Sequence, residues 1–351
     1  MAVRVLQVDA GREWRGGQNQ VRLLTRELRR HPEVDQLLVT RDTGPLAARA
    51  RVEGVPVTGV TWDMGLDPRA WWGLVRAGRG WRPDIIHVHE SHALSLAVWA
   101  RRWIRPTPRI VAHRRVDFHI RPHGHWFAAD AIVAVSDAVR RVLMADGVDG
   151  SRVSVIADGI DPDEVRTAAD APPARRFRAE LGVADRAPLA VNVAALVGHK
   201  DQATLIRAAA AARALRPDLH WAIAGEGPLR PSLLALVESL GLTDRVHLLG
   251  YVTEVDALIR QASVFVMSSR EEGLGSVVLH ALALGTPVVA TAAGGLPELV
   301  PAEQLVPVGD AARLAQRVVH MLDRPMRPTL PNRFTAAAMA ESVVALYRTL
   351  V

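Results

Sequence analysis

Short apolar runs recur along this chain, each ending in a polar or glycine-rich tip and each followed by residues at helical spacing. Val3-Arg4-Val5-Leu6-Gln7-Val8 reads as a first strand, with Val21, Leu24 and Leu28 continuing a helical pattern behind it. Gln36 to Thr40 and Val55 to Val60 fit further strands. Asp84-Ile85-Ile86-His87-Val88-His89 reads as a buried strand with a polar end, and Ile110 to His113 and Ala131 to Ser136 repeat the pattern, with helices between them. In the second half, Leu189 to Ala194, Trp221 to Ala224, Val246 to Val252, Val264 to Met267 and Val288 to Ala290 read as strands. Ala203 to Leu215, Asp256 to Ala262 and Ser276 to Leu284 read as helices, and Thr335 to Leu350 as a last one. Such alternation predicts open parallel sheets that bind ligands at the carboxyl ends of their strands. His89, Glu90, His113, Arg114 and Arg115 all fall at such ends, which makes them candidates for holding a ligand.

The most informative stretch runs from Ser268 to Ala290. It reads as strand, loop, helix, strand, with Glu272, Gly273, Leu274, Gly275 and Ser276 at the handover from strand to helix and Gly285 with Pro287 closing the helix. Glycines there let a backbone approach a ligand closely, and the first N–H groups of a helix have no internal partner, so the position favours an anion such as a phosphate. Glu272 stands just ahead of that pole and can accept hydrogen bonds from hydroxyl groups, a combination that a sugar phosphate satisfies. A plainer reading keeps the glycines as a tight loop and Glu272 as a helix-start carboxylate.

The same stretch resembles the donor-site signature of retaining nucleotide-sugar glycosyltransferases of family 4, also called glycosyl transferases group 1. That signature is Glu-Gly-x-Gly, four residues, a second acid, a small-residue helix and Gly-x-Pro-Val-Val-Ala. His280 stands where the second acid is expected. Other stretches resemble the family in order. Trp14-Arg15-Gly16-Gly17-Gln18 matches a glycine loop against the donor phosphates or the acceptor, Ser136-Asp137-Ala138-Val139 a turn, and Val155 to Asp161 a motif that closes the first domain, with Asp158 where the family has Asn. Ala195 to Asp201 matches a pattern whose Arg and Lys neutralise the diphosphate; Lys200 falls on the Lys, and Ala195 on the Arg. Gly225 and Gly227 sit in a Gly-x-Gly-Pro turn, and Val252 in a strand exit near the nucleotide base.

The resemblance implies the GT-B fold, an α/β architecture of two doubly wound parallel-sheet (Rossmann-like) domains facing a cleft. It places an acceptor-binding domain at residues 1–165, a donor-binding domain at 166–334 and a C-terminal helix at 335–351 that packs back on the first domain. It implies transfer with retention and no metal, with Glu272, Lys200 and Arg115 as catalytic candidates. The donor set is then Gly16, Gly17, Lys200, Gly225, Gly227, Val252, Glu272, Gly273, Leu274, Gly275, Ser276 and His280, and the acceptor set His89, Glu90, His113, Arg114 and Arg115. No cofactor is implied, since the nucleotide-sugar is a substrate: a UDP-sugar first, a GDP- or ADP-sugar as alternatives. The acceptor class it suggests is a surface glycan or lipid-linked oligosaccharide, as in lipopolysaccharide assembly. A non-catalytic protein of the same fold, or a nucleotide-sugar epimerase, are the competing readings.

Composition alters this picture in a few places. With 351 residues, 49% hydrophobic and 23% charged, the chain reads as soluble, two-domain and cytoplasmic, without a signal peptide or membrane span. It holds no Cys, so disulfides and thiolate metal sites are excluded. Lys200 is the single lysine among 43 basic residues, which singles out a place for a compact point charge. Residues 1–160 carry 24 Arg against 17 acids and eight of the nine Trp. Arg with Trp suits an anionic amphipathic partner, with peripheral contact at the inner membrane as one expectation; coding bias and core packing are the other account. No nucleic-acid module accompanies the charge. His119, His123 and His125 have spacing open to a metal, though Pro122 and Gly124 suggest a loop over the acceptor instead. Asp161-Pro162-Asp163 imitates a metal-binding pair at a domain boundary, and Asp161 to Arg178 reads as a linker.

Overall fold

The computed structural model describes residues 2–171 and 176–351. The chain divides into two compact units, residues 1–160 with 332–351, and residues 161–331.

In the first unit seven strands form one sheet: β1 Val3–Asp9, β2 Val34–Arg41, β3 Val57–Val60, β4 Ile85–Val88, β5 Arg109–Arg114, β6 Ala131–Ala134 and β7 Val153–Val155, in the order β3-β2-β1-β4-β5-β6-β7. Every pairing is parallel among the described residues. Parallel strands carry helices on both faces, which is why Ile85–Val88 and Ala131–Ala134 are buried at every position instead of alternating. The order turns at β1 and β4, and ligands of such sheets sit outside the carboxyl ends at that point.

The last helix, Ala336–Arg348, belongs to this unit. Its Met339, Val343, Val344 and Tyr347 pack with Val5, Leu24, Ile85 and Val111 into one core. Gly159 and Ile160 lie against its start: Ile160 N–H donates to Phe334 O, and Ala336 N–H to Ile160 O. A Cβ on Gly159 would stand 2.4 Å from Thr335 O, so this glycine answers to a backbone crossing.

The second unit repeats the plan with β8 Leu189–Val193, β9 His220–Ala224, β10 Val246–Gly250, β11 Val264–Met267, β12 Val288–Thr291 and β13 Leu305–Val306, in the order β10-β9-β8-β11-β12-β13, all parallel. Its turning point lies between β8 and β11. Ile206 and Ala209 of helix Gln202–Arg213 and Leu314 and Val318 of helix Ala311–Asp323 pack on Trp221, Ile223 and Val266 to build the core of one face.

One expectation is corrected here. The stretch read as a linker holds helix Pro162–Asp170, capped by Asp161, whose carboxylate accepts from the Asp163 and Glu164 N–H groups. This helix packs on helices Val255–Arg260 and Ser276–Ala283 within the second unit. Capping also explains the Asp-Pro-Asp sequence, since Asp caps and Pro starts helices well. Residues 172–175 of that stretch lie outside the described residues.

Candidate functional site

In the second unit the exit loops of β8 and β11 bring Lys200 and Glu272 together. Lys200 Nζ donates to Glu272 Oε2 at 2.5 Å, and Ser269 Oγ donates to the same oxygen at 3.1 Å. Both charged side chains are mostly buried, at 17% and 10% exposure, so their attraction is screened less than that of a surface pair. The chain fixes both partners from behind. Ser268 Oγ donates to Lys200 O, Thr291 Oγ1 to Ser269 O, and Gly295 N–H to Glu272 O. Asp201 adopts φ 46 and caps helix Gln202–Arg213 through Thr204 while accepting from Arg270 Nε at 2.8 Å, which ties the β8 loop to the β11 loop.

Helix Ser276–Ala283 starts immediately beyond. Gly275 stands at its cap position with φ 90, and no side chain caps the helix. A Cβ there would lie 2.7 Å from Leu296 Cδ2 in a conformation that L residues avoid, so only glycine brings the chain through. The helix therefore presents its first N–H groups, and the positive end of its dipole, beside the lysine and the carboxylate.

His280 lies one turn further along. Its Nδ1 is 2.6 Å from Asp256 Oδ1 on helix Val255–Arg260. With Nδ1–H donated to that carboxylate, the neutral ring carries its lone pair on Nε2, an acceptor of one hydrogen bond. An acid thus stands beside position 280 in Asp256, and no sequence spacing pointed to it.

The remaining donor candidates divide by role. Gly225 and Gly227 answer to the chain itself: an added Cβ would stand 1.9 Å from Ala194 O and 2.4 Å from Leu196 O. Val252 and Leu274 bury their side chains, leaving only their main chain to face a ligand. Ala195 is exposed and brings no charge. In the first unit, Gly16 and Gly17 form the first turn of helix Gly16–Leu28, which also has no side-chain cap; a Cβ on Gly17 would meet nothing within 4 Å, so packing does not require glycine there.

The carboxyl ends of the first sheet hold a different chemistry. His87, His89 and His113 are buried within a ring-to-ring distance of 4.4–5.9 Å. His87 Nδ1 pairs with the Tyr347 hydroxyl at 2.6 Å, His89 Nε2 with Gln7 Oε1 at 2.8 Å, and Arg115 donates to His113 Nδ1 at 3.2 Å. Burial above all, then the neighbouring Arg115 charge, pushes His87 down to about 3 and holds His113 well below the usual imidazole range; for His89 burial leads, followed by His87 and Arg115. The three rings are neutral. They are also the group among the described residues whose ligating atoms come within 4.8 Å of one another. Because Arg115 donates to His113 Nδ1, the proton of neutral His113 sits on Nε2, and a cation would face the guanidinium. One nitrogen of each ring is hydrogen-bonded, and the other, His87 Nε2, His89 Nδ1 and His113 Nε2, is buried without a hydrogen-bond partner among the described residues.

Arg115, a catalytic candidate, is anchored in the first unit. Its Nε donates to Asp158 at 3.0 Å and its Nη1 to His89 O, so its charge is committed to the acid that stands in place of the expected Asn. Arg114 is buried too, donating to Phe118 O and lying 5.0 Å over the Trp126 ring. Both guanidiniums thus bond within the first unit. Glu90 caps helix Ser91–Ala100 through the His92 and Ala93 N–H groups. It also lines a cavity of about 370 Å³ with Arg12, Gln18, Arg41 and Trp62. Arg12, which follows β1, and Arg41, which ends β2, were not among the sequence candidates, whereas Gln18 lay inside the glycine loop. Asp9, at the end of β1, was missed as well: burial raises its carboxyl to about 6, against the Gly11 N–H bond that lowers it. The loop histidines do not converge, since His119 pairs with Asp146 and His125 with Ser95 and Trp99.

Residues 174–340 match the family described as Glycosyl transferases group 1, and residues 14–164 match Glycosyltransferase Family 4. The lipopolysaccharide core biosynthesis glycosyltransferase LpsE of Rhizobium meliloti is 27% identical over 293 residues, 74% of this chain and 82% of that protein. A GDP-mannose-dependent monoacylated alpha-(1-6)-phosphatidylinositol monomannoside mannosyltransferase of Corynebacterium glutamicum is 35% identical over 161 residues, 43% of this chain and 42% of that one. Among solved structures, Anabaena HepE in complex with UDP and glucose shares the fold at a TM-score of 0.82 and 20% identity, covering 99% of this chain and 100% of its own.

Proposed function

The chain belongs to the glycosyl transferases group 1 and has the GT-B fold, and from that membership we propose that it moves a sugar, with retention, from a nucleotide-sugar held on the second unit to a glycan or lipid-linked acceptor held on the first. The observation that carries this reading is the Lys200–Glu272 pair, 2.5 Å apart beside the uncapped start of helix Ser276–Ala283. Cleaving the bond between the anomeric carbon and the diphosphate oxygen leaves negative charge on that oxygen. Lys200 and the Gly275 and Ser276 N–H groups stabilise it, most strongly in the transition state. Glu272 accepts hydrogen bonds from the sugar hydroxyls. The acceptor hydroxyl attacks from the face the diphosphate leaves, and its proton passes to the departing phosphate, so no carboxylate nucleophile is needed. Positive charge comes from the chain itself, so this reading requires no metal ion.

His280 Nε2, oriented by Asp256, accepts from one ribose hydroxyl in place of the family's acid. The complex of HepE with UDP supports a UDP-sugar; the mannosyltransferase supports a GDP-sugar as the alternative. LpsE supports a place in lipopolysaccharide or other cell-surface polysaccharide assembly. A second reading, a non-catalytic GT-B protein, is favoured by Ala195, which removes a diphosphate cation.

Nucleoside diphosphate release, followed with UDP-, GDP- and ADP-sugars in turn and water as the acceptor, tests the reading. Release from one nucleotide class, with proton NMR showing the freed sugar first in the donor's anomeric configuration, is expected. No release from any class, at a concentration where the protein is folded, would favour the non-catalytic reading.

A further inference from the structure

Eight tryptophans lie in the first 160 residues, and the fold separates those that serve the core from those that do not. Trp62 and Trp126 are buried, whereas Trp72, Trp99 and Trp103 are 54–57% exposed. Trp71 joins two of them, with ring centroids 6.1 Å from Trp72 and 6.0 Å from Trp103, edge to face with the latter. A groove of about 770 Å³ runs between helix Pro68–Trp81 and the segment 99–105, lined by Trp71, Arg79, Trp99, Arg102, Trp103 and Arg105. Indoles and guanidiniums line it in equal number, and it has no acidic side chain.

Asp63 and Asp67 pair with Arg69, and Asp130 with Arg101, but the groove arginines Arg79, Arg102 and Arg105 have no ion pair among the described residues. Residues 68–105 hold seven Arg against Asp84 and Glu90; Asp84 accepts from the Arg4 N–H group, and Glu90 caps a helix. Two of the arginines are braced by the main chain, Arg79 through Trp103 O and Arg105 through Ile104 O, which holds the groove rim in place. Exposed indoles in such number are costly in water and stable where an apolar layer meets a polar one. Arginines beside them select a negatively charged layer. Among the described residues no helix is long and apolar enough to cross a membrane, so contact with a bilayer would be made by a surface of this kind.

We propose that this face of the first unit docks on the surface of an anionic phospholipid bilayer, with Trp99 and Trp103 in the headgroup layer and Arg79, Arg102 and Arg105 against lipid phosphates. The proposal does not rest on the donor reading, and its test contains no nucleotide.

Full-length protein is sedimented with vesicles of phosphatidylcholine alone or mixed with phosphatidylglycerol, at low and high salt. Partitioning into the anionic vesicles, weakened by salt, is expected, and the triple variant Arg79→Gln, Arg102→Gln, Arg105→Gln should bind about a hundredfold less. Trp99→Ala with Trp103→Ala should lower binding about tenfold or more. Should either variant fold poorly, quenching of the wild-type tryptophan emission by brominated lipid reports insertion without any substitution. Absence of binding, equal binding to both vesicle types, an arginine variant that binds like the wild type, or retention only by an anionic polysaccharide would each overturn the proposal.

Discussion

Lys200 and Glu272 carry the chemistry at the scale of single residues, and each is exposed to a distinct test. Lys200→Ala should lower turnover by roughly 10²–10³-fold, the loss typical of one preorganised charge on a leaving oxygen. Lys200→Arg should recover only part of it, because a planar fork does not reproduce a compact ammonium in a site 17% exposed. Steady-state kinetics on both variants measures this, and a Lys200→Ala enzyme with wild-type kcat would remove the residue from the mechanism. Gly225 acts through the fold: at φ +142 and against Ala194 O, Gly225→Ala should lower stability by at least about 2 kcal/mol, read as a fall in the denaturant midpoint. Glu272, Lys200 and Gly275 were legible in the sequence because they lie within one contiguous motif or match a short one. Asp256 and the buried histidine cluster were not, because each is assembled from separate elements; His87 meets Tyr347 across 260 positions.

At the scale of elements, helix Ser276–Ala283 and its neighbour Val255–Arg260 share the His280–Asp256 contact. Restoring the family's acid with His280→Glu would set two carboxylates side by side at a spacing now bridged by a ring. That variant is expected to bind the nucleotide less tightly than the wild type, whereas His280→Glu with Asp256→Ala should bind at least as well. Calorimetric titration with the preferred nucleoside diphosphate decides; tighter binding by His280→Glu alone would show that Asp256 plays no part. Most strands were legible because parallel strands buried on both faces read as continuous apolar runs. Strands β7 and β13 were missed: the first was absorbed into a motif, and the second spans two residues. Helix Pro162–Asp170 was read as linker because its first turn, Pro-Asp-Glu, is polar and only Val165 and Ala169 are buried.

At the scale of the molecule, the first unit ties its own carboxyl-terminal helix to its sheet, and the polar network under that helix makes the unit sensitive to acid. His87, His89 and His113 have folded values below the usual 6.5. Their contribution is complete above that value and declines as pH falls through it, since the unfolded chain then binds protons that the fold refuses. Each lowers stability by about 1.4 kcal/mol per pH unit within its window. Asp9 has the opposite sign: raised to about 6, it takes up its proton in the fold first and returns a similar amount below pH 6. Asp158, raised chiefly by burial, shares that sign; three imidazoles outweigh the two carboxyls, so stability should fall between pH 7 and pH 5. Tryptophan emission in urea follows chiefly this unit, which holds eight of the nine indoles; a midpoint that rises over that interval would contradict the network.

The central claim, a donor site on the second unit, is tested most directly by the thermal shift of the wild type and of Lys200→Ala with UDP, GDP, ADP and CMP. One nucleoside diphosphate should raise the melting temperature of the wild type and do so much less for the variant. No shift with any of them, or an equal shift in both proteins, would contradict a diphosphate site built on Lys200, Glu272 and the start of helix Ser276–Ala283.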